Sequence, residues 1–174
     1  MVAPPGDGRV ALVSQAVAYW NRVFAEIGSP FRLGGVTQVS GSMAGDELAA
    51  MSNAALGGRN HALPAALTAI PGNIVVVLSD AEFVSFAARW PAERKAIVAI
   101  KSGRSPPLTR PNVAVNVITH ELGHAIGLGH NSDPTLLMCG RPAPCRPDAF
   151  ASGSGIFPLS EGEKATLRAM YAGR

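Results

Sequence analysis

Four histidines occur in the 174-residue chain, and three of them, His120, His124 and His130, share the short stretch THELGHAIGLGHNS (119–132). Imidazole is the commonest side-chain metal ligand, so a spaced histidine cluster is first of all a candidate metal site. On a helix, His120 and His124 emerge from one face, one turn apart. Two nitrogens so placed reach a single ion at ~2.0–2.1 Å, the zinc distance. Glu121 follows the first histidine directly and projects to one side of that face. From there a carboxylate reaches a water on the ion without ligating the ion itself. Gly127 accepts the left-handed conformation that ends a helix and sends the chain sharply back, so that His130 arrives from the far side. Three protein ligands leave the fourth tetrahedral position to water, which marks a catalytic zinc site. A core helix with two hydrogen-bonded histidines is the plainer alternative, but it leaves the joint spacing of the glutamate, the glycine and the third histidine unexplained.

Several elements must hold these residues in place. A helix is expected from near Asn112 through the motif to about Gly127. Val10, Val13, Val17, Trp20, Phe24 and Ile27 recur at three- and four-residue steps, predicting a helix over 9–27 that stops at Gly28 and Pro30. FRLGGVTQVSG (31–41) alternates loosely and is expected to be a strand, and 45–58 a short Ala-rich helix or loop. NIVVVLSD (73–80) and RKAIVAIKSG (94–103) have the length and β-branching of strands. Lys95 and Lys101 bracket the second of these, as suits a sheet edge that must resist unwanted pairing. RSPPLTRP (104–111) is a Pro-rich connection, 128–158 a long irregular stretch, and Ser160-x-x-Glu163 a capping box that opens a last helix. Strands and helices mix without regular alternation, so the expected fold class is α+β.

Composition narrows the function classes. With 47% hydrophobic and 16% charged residues the chain is globular, and its length suits one domain. The longest apolar run, IVVVL (74–78), is strand-sized, so no membrane span is expected. The net charge of +3 is scattered, without a basic run or interleaved aromatics, which argues against nucleic-acid binding. MVAPPGDGRV lacks the charged start and apolar segment of a signal peptide. Met1 is compatible with a start placed on a mature form, which keeps a secreted origin open. Arg-rich, Lys-poor, Ala/Gly/Pro-rich usage suggests a high-GC bacterial source. Cys139 and Cys145 in CGRPAPC can close a disulfide in an oxidising compartment, or remain two thiols in a cytosolic one.

HELGHAIGLGH resembles the HExxHxxGxxH signature of the metzincin zinc peptidases, and LLMCG places Met138 where that family has a methionine turn beneath the metal. HNSDPTLLM is similar to the matrixin branch, with Asn131 where serine is usual and Ser132, Asp133 and Pro134 keeping the pattern. The resemblance implies a metzincin-like (zincin) catalytic domain. It would have a twisted mixed sheet with long helices, the active-site helix under a cleft, and an irregular C-terminal subdomain ending in a helix. It would be one catalytic domain over 1–174, with an upper subdomain of about 8–130 and a lower one of about 131–174. Residues 94–103 would be the edge strand that lines the cleft and pairs with an extended substrate. The implied activity is zinc-dependent endopeptidase, with one zinc on His120, His124 and His130, Glu121 as general base, and Gly127 and Met138 shaping the site. The substrate would be protein or peptide, the enzyme a secreted or extracytoplasmic monomer.

The sequence also departs from that family. His61 is the one histidine left over and is expected in a surface loop, so a second, structural zinc is not supported. The acidic residues are dispersed, without a calcium-caging loop. Gly162 and Glu163 stand where an aspartate pair is common, and no tyrosine lies near Met138. Asp133 is expected either to cap the turn around His130 or to orient its ring. Trp20 and Trp90 are expected as core or rim aromatics. A disulfide between Cys139 and Cys145 would shape the pocket wall. Its rival is a thiol latch, because PCRPD (144–148) is faintly similar to the cysteine motif of matrixin propeptides. Two further functions are carried as alternatives: a catalytically silent zinc-binding recognition module, and a zinc hydrolase of a non-protein cell-wall amide.

Overall fold

The computed structural model describes residues 1–59, 61–140, 145, 150–151, 153 and 155–173. In chain order the elements are β1 (Val2–Ala3), α1 (Val10–Glu26), β2 (Val39–Ser40), α2 (Gly45–Leu56) and α3 (Ala65–Thr68). They continue with β3 (Ile74–Leu78), β4 (Phe86–Trp90), β5 (Lys95–Ile100), α4 (Pro111–Ala125) and α5 (Glu161–Tyr171). Among the described residues one sheet runs in the order β2-β1-β3-β5-β4. All its neighbours are parallel except β4, which pairs antiparallel with β5. The expected mixed sheet is present.

Both faces of the sheet are covered. Val76, Leu78, Val98 and Ile100 pack with α1 and α4, while Val75, Val77, Ile97 and Ala99 pack with α2. A strand covered on both sides reads as a continuous apolar run instead of an alternation, and IVVVL and AIVAI are such runs. Helices α1 and α4 lie side by side, joined where Trp20 Nε1 donates to the Thr119 carbonyl at 3.0 Å. Trp20 is fully buried, which makes it core and not rim. No helix among the described residues is long and apolar enough to cross a membrane.

Three expectations need correction. Residues 94–103 do not form the edge strand: β5 lies inside the sheet, between β3 and β4, and its last five residues are all buried. Its lysines fasten loops at the strand ends. Lys95 Nζ donates to the carbonyls of Ile70 and Gly72, and Lys101 pairs with Glu82 at 3.3 Å. The edge on that side of the sheet is β4, with β2 at the other, and its FAARW lacks the β-branched run that marks strands. In 31–41 only Val39–Ser40 joins the ladder. Upstream of it, Leu33 satisfies both backbone groups on the amide of Asn21 in α1, at 2.8 and 3.1 Å. This side-chain partner competes with strand pairing.

Candidate metal centre and cleft

Helix α4 is rich in β-branched residues, which are indifferent helix formers, yet every residue from Val113 to Gly123 is buried. Packing on all sides holds it, with Pro111 in its first turn, where a missing N–H costs nothing. Two asparagines one turn apart join it to the irregular segment beyond the metal motif. Asn112 donates to the carbonyls of Phe150 and Gly153 and accepts from Gly155 N–H. Asn116, fully buried, donates to the carbonyls of Asn112 and Gly155 and accepts from Phe157 N–H. Sequence reasoning did not identify this pair. The signal was there: two asparagines at i and i+4 in an otherwise apolar helix.

The helix ends as expected. Gly127 has φ +109°, Gly127 N–H donates to His124 O at 3.0 Å, and Leu128 N–H donates to Gly123 O at 2.9 Å. This paired closure, with a left-handed glycine after the cap, turns the chain back on itself. His130 then faces the helix. The three Nε2 atoms form a triangle with sides of 3.1 Å (His120–His124), 3.2 Å (His120–His130) and 2.9 Å (His124–His130). His120 Nδ1 lies 2.7 Å from the Leu137 carbonyl and His124 Nδ1 2.8 Å from the Leu128 carbonyl. A carbonyl only accepts, so each Nδ1 carries the proton and each Nε2 turns its lone pair to the centre of the triangle. Three nitrogens at the zinc distance in a tetrahedron would stand about 3.3 Å apart. The donor set and its convergence support a zinc cofactor held by His120, His124 and His130.

Burial grades across the triangle: His120 is buried, His124 half-buried and His130 exposed. Desolvation is the main cause that lowers both His120, to about 3, and His124, keeping each imidazole neutral as a ligand must be. Glu121 is buried beside them. Burial pushes its carboxyl up to about 8, opposed by a hydrogen bond from the Ala87 backbone on β4. The sheet edge and the candidate base therefore meet directly.

Met138 is fully buried beneath the helix, against Gly123. Two glycines that sequence reasoning passed over make room. A Cβ on Gly123, between the two helical ligands, would lie 2.5 Å from Met138 Sδ, and one on Gly140 would run into the His130 ring. Asn131 is bonded through every polar atom it has. Its N–H donates to Met138 O, its carbonyl accepts from Gly140 N–H, and its side-chain oxygen accepts from Asp133 N–H. Its amide nitrogen donates to Glu163 at 2.7 Å. Glu163 also completes the capping box with Ser160 that opens α5. Asp133 is exposed and accepts from Thr135 N–H and Oγ1, so it caps its own turn.

Cys139 and Cys145 form a disulfide. Residues 141–144 of CGRPAPC, and all of PCRPD except Cys145, lie outside the described residues. Both cysteines line a cavity of about 630 Å³ with the three histidines, Glu121 and Val117. His61 stands apart from it, its carbonyl accepting from Trp90 Nε1 at 2.8 Å.

No family model matches the chain, and no curated protein matches it. Solved structures similar to the chain include two whose proteins are described. One is an archaemetzincin from Methanopyrus kandleri (TM-score 0.47, 18% identity, covering 97% of this chain and 91% of that one). The other is a zinc-dependent peptidase from Methanocorpusculum labreanum (TM-score 0.43, 15% identity, covering 95% and 98%). The metal centre stands on this chain's own geometry.

Proposed function

We propose that the chain is a zinc-dependent metalloendopeptidase of metzincin, matrixin-like type, acting on protein or peptide outside the cytoplasm as a monomer of bacterial origin. One observation carries the reading. A triangle of three imidazole nitrogens, a buried carboxyl and the edge strand β4 all meet in one cleft. A zinc ion on His120, His124 and His130 would supply Lewis acidity, polarising a carbonyl and lowering the pKa of a bound water to about 7. Glu121 takes the proton of the attacking water and passes it to the leaving amine. Burial alone raises its affinity for a proton, and the charge of a zinc ion beside it would restore the carboxylate that a base must be. Among the described residues β4 pairs as a strand only with β5, so, apart from the Ala87 N–H that bonds Glu121, its outer edge would offer backbone groups to an extended peptide. The 8–130 and 131–174 parts would then flank the cleft as upper and lower subdomains.

The test is cleavage of an unfolded protein by zinc-loaded enzyme, with and without a chelator, beside a peptidoglycan-derived peptide. Chelator-sensitive cleavage of the unfolded protein is the expected result. Absence of cleavage, or hydrolysis confined to the cell-wall peptide, would reject the endopeptidase reading in favour of one of its alternatives.

A further inference from the structure

The cleft does not end at the histidines. Its wall continues through Ala55 and Leu56 at the end of α2 and Phe83 and Val84 before β4. Leu56 and Val84 are the two most exposed large hydrophobic residues described, at 46% and 49%. Scattered apolar residues on a surface need no explanation. These two are not scattered, because they border one cavity and a part-buried hydrogen bond sets them in place. Ser52, on the same face of α2 one turn before Leu56, is 1% exposed and donates through Oγ to the Val84 carbonyl at 2.7 Å. The bond brings the Val84 backbone against the helix face that carries Leu56. Beneath them Phe83 and Phe86 meet edge to face, with centroids 6.1 Å apart. The flanking charges of Lys101 and Glu82 pair with each other at 3.3 Å. Apart from Ser85, whose Oγ accepts from the Lys101 N–H, what remains facing the cavity at this end is aliphatic and aromatic.

The geometry points to a distal specificity site: Leu56, Val84 and Phe83 form an apolar rim that selects an aliphatic or aromatic side chain of a peptide substrate, away from the bond that is cut. The inference rests on the peptidase reading for its occupant, and the continuity of the cavity with Glu121 is what names a peptide. An extended chain along β4 advances about 3.3 Å per residue, so a fixed position on one side of the scissile bond meets the rim. Covering two exposed aliphatics removes apolar area from water without demanding a polar partner.

The experiment measures binding, so that it does not depend on turnover. Zinc-loaded Glu121→Gln protein is applied to an array of decapeptides in which one position at a time carries Leu, Phe, Ser or Glu. One position is expected to favour Leu and Phe over Ser and Glu about tenfold, the scale of one covered aliphatic group. Leu56→Ser and Val84→Ser, made in the same background, should erase that preference and leave the other positions unchanged. Equal zinc content and melting temperature establish that the fold is kept; if Leu56→Ser fails that check, Val84→Ser decides. A preference that survives in the well-folded variants, or an array flat at every position, overturns the rim. The best-bound peptide is then offered to the Glu121 enzyme. Failure to cut it while the preference stands sinks the peptidase reading and not the rim.

Discussion

The sulfur of Met138 lies against the backbone of Gly123, where a Cβ would come within 2.5 Å of it and within 3.0 Å of Trp20 Cζ2. A methyl group there has no free volume to enter. Gly123→Ala should cost ~1–3 kcal/mol by overpacking, despite alanine's better helix propensity. Thermal unfolding reads the cost, and an unchanged or raised melting temperature would show that Met138 can swing aside.

Zinc content should be one per chain. His124→Ala should lose it, since two imidazoles remain where three are needed for a tight site. Gly140→Ala, which adds only a methyl beside the His130 ring, should keep the fold and weaken zinc ~10–100-fold, the scale seen when groups that orient ligands are disturbed. Chelator competition measures both. Stoichiometric zinc in His124→Ala would reject the ligand assignment.

Glu121→Gln preserves volume and removes the base. It should retain zinc and stability while activity on an unfolded protein drops ~10²–10⁴-fold. Substantial residual turnover would mean that another group accepts the proton.

Acid and base should act on chelator-treated protein with opposite signs. The folded pKa values of His120, about 3, and His124 are depressed below 6.5. The stability they contribute is complete above 6.5 and is lost as pH falls through the folded values. Glu121 is raised from 4.5 to about 8, so its contribution is complete below 4.5 and lost as pH rises through 8. The melting temperature should therefore peak at a mildly acidic pH, and zinc should extend the plateau upward by favouring the carboxylate. A flat profile from pH 4 to 9 after chelation would contradict both assignments.

Intact mass under thiol alkylation tests Cys139 and Cys145. The disulfide predicts no alkylation without reductant and two modifications with it. Two alkylated thiols in the native protein would remove the bond, and activity rising on alkylation would revive the thiol latch.

The helices and the metal motif were legible because their information is local. Periodicity marked α1, the Ser160–Glu163 box marked α5, and the spacing of His120, Glu121, His124, Gly127 and His130 encodes a helix, a turn and a return. Edge and centre were not legible. Lysines at both ends of β5 have the composition of an exposed edge, and only the loops that receive their ammonium groups show otherwise. β4 escaped notice because Ala-Ala-Arg carries little strand preference and is held by pairing to β5. The supporting shell was equally hidden. The i, i+4 spacing of Asn112 and Asn116 marks two polar groups on an apolar stretch, but the carbonyls, amides and carboxylate that Asn112, Asn116 and Asn131 reach lie far along the chain, and no local pattern names them.

The bond from Asn131 to Glu163 bears on the order in which the molecule matures. As a chain emerges N-terminus first, the two helical ligands and the third appear well before residue 163. Until that carboxylate arrives, the amide next to His130 lacks its distant anchor, and the last element has no cap to start from. A nascent chain thus holds all three ligands and every described strand before the carboxylate that anchors the residue next to His130 exists.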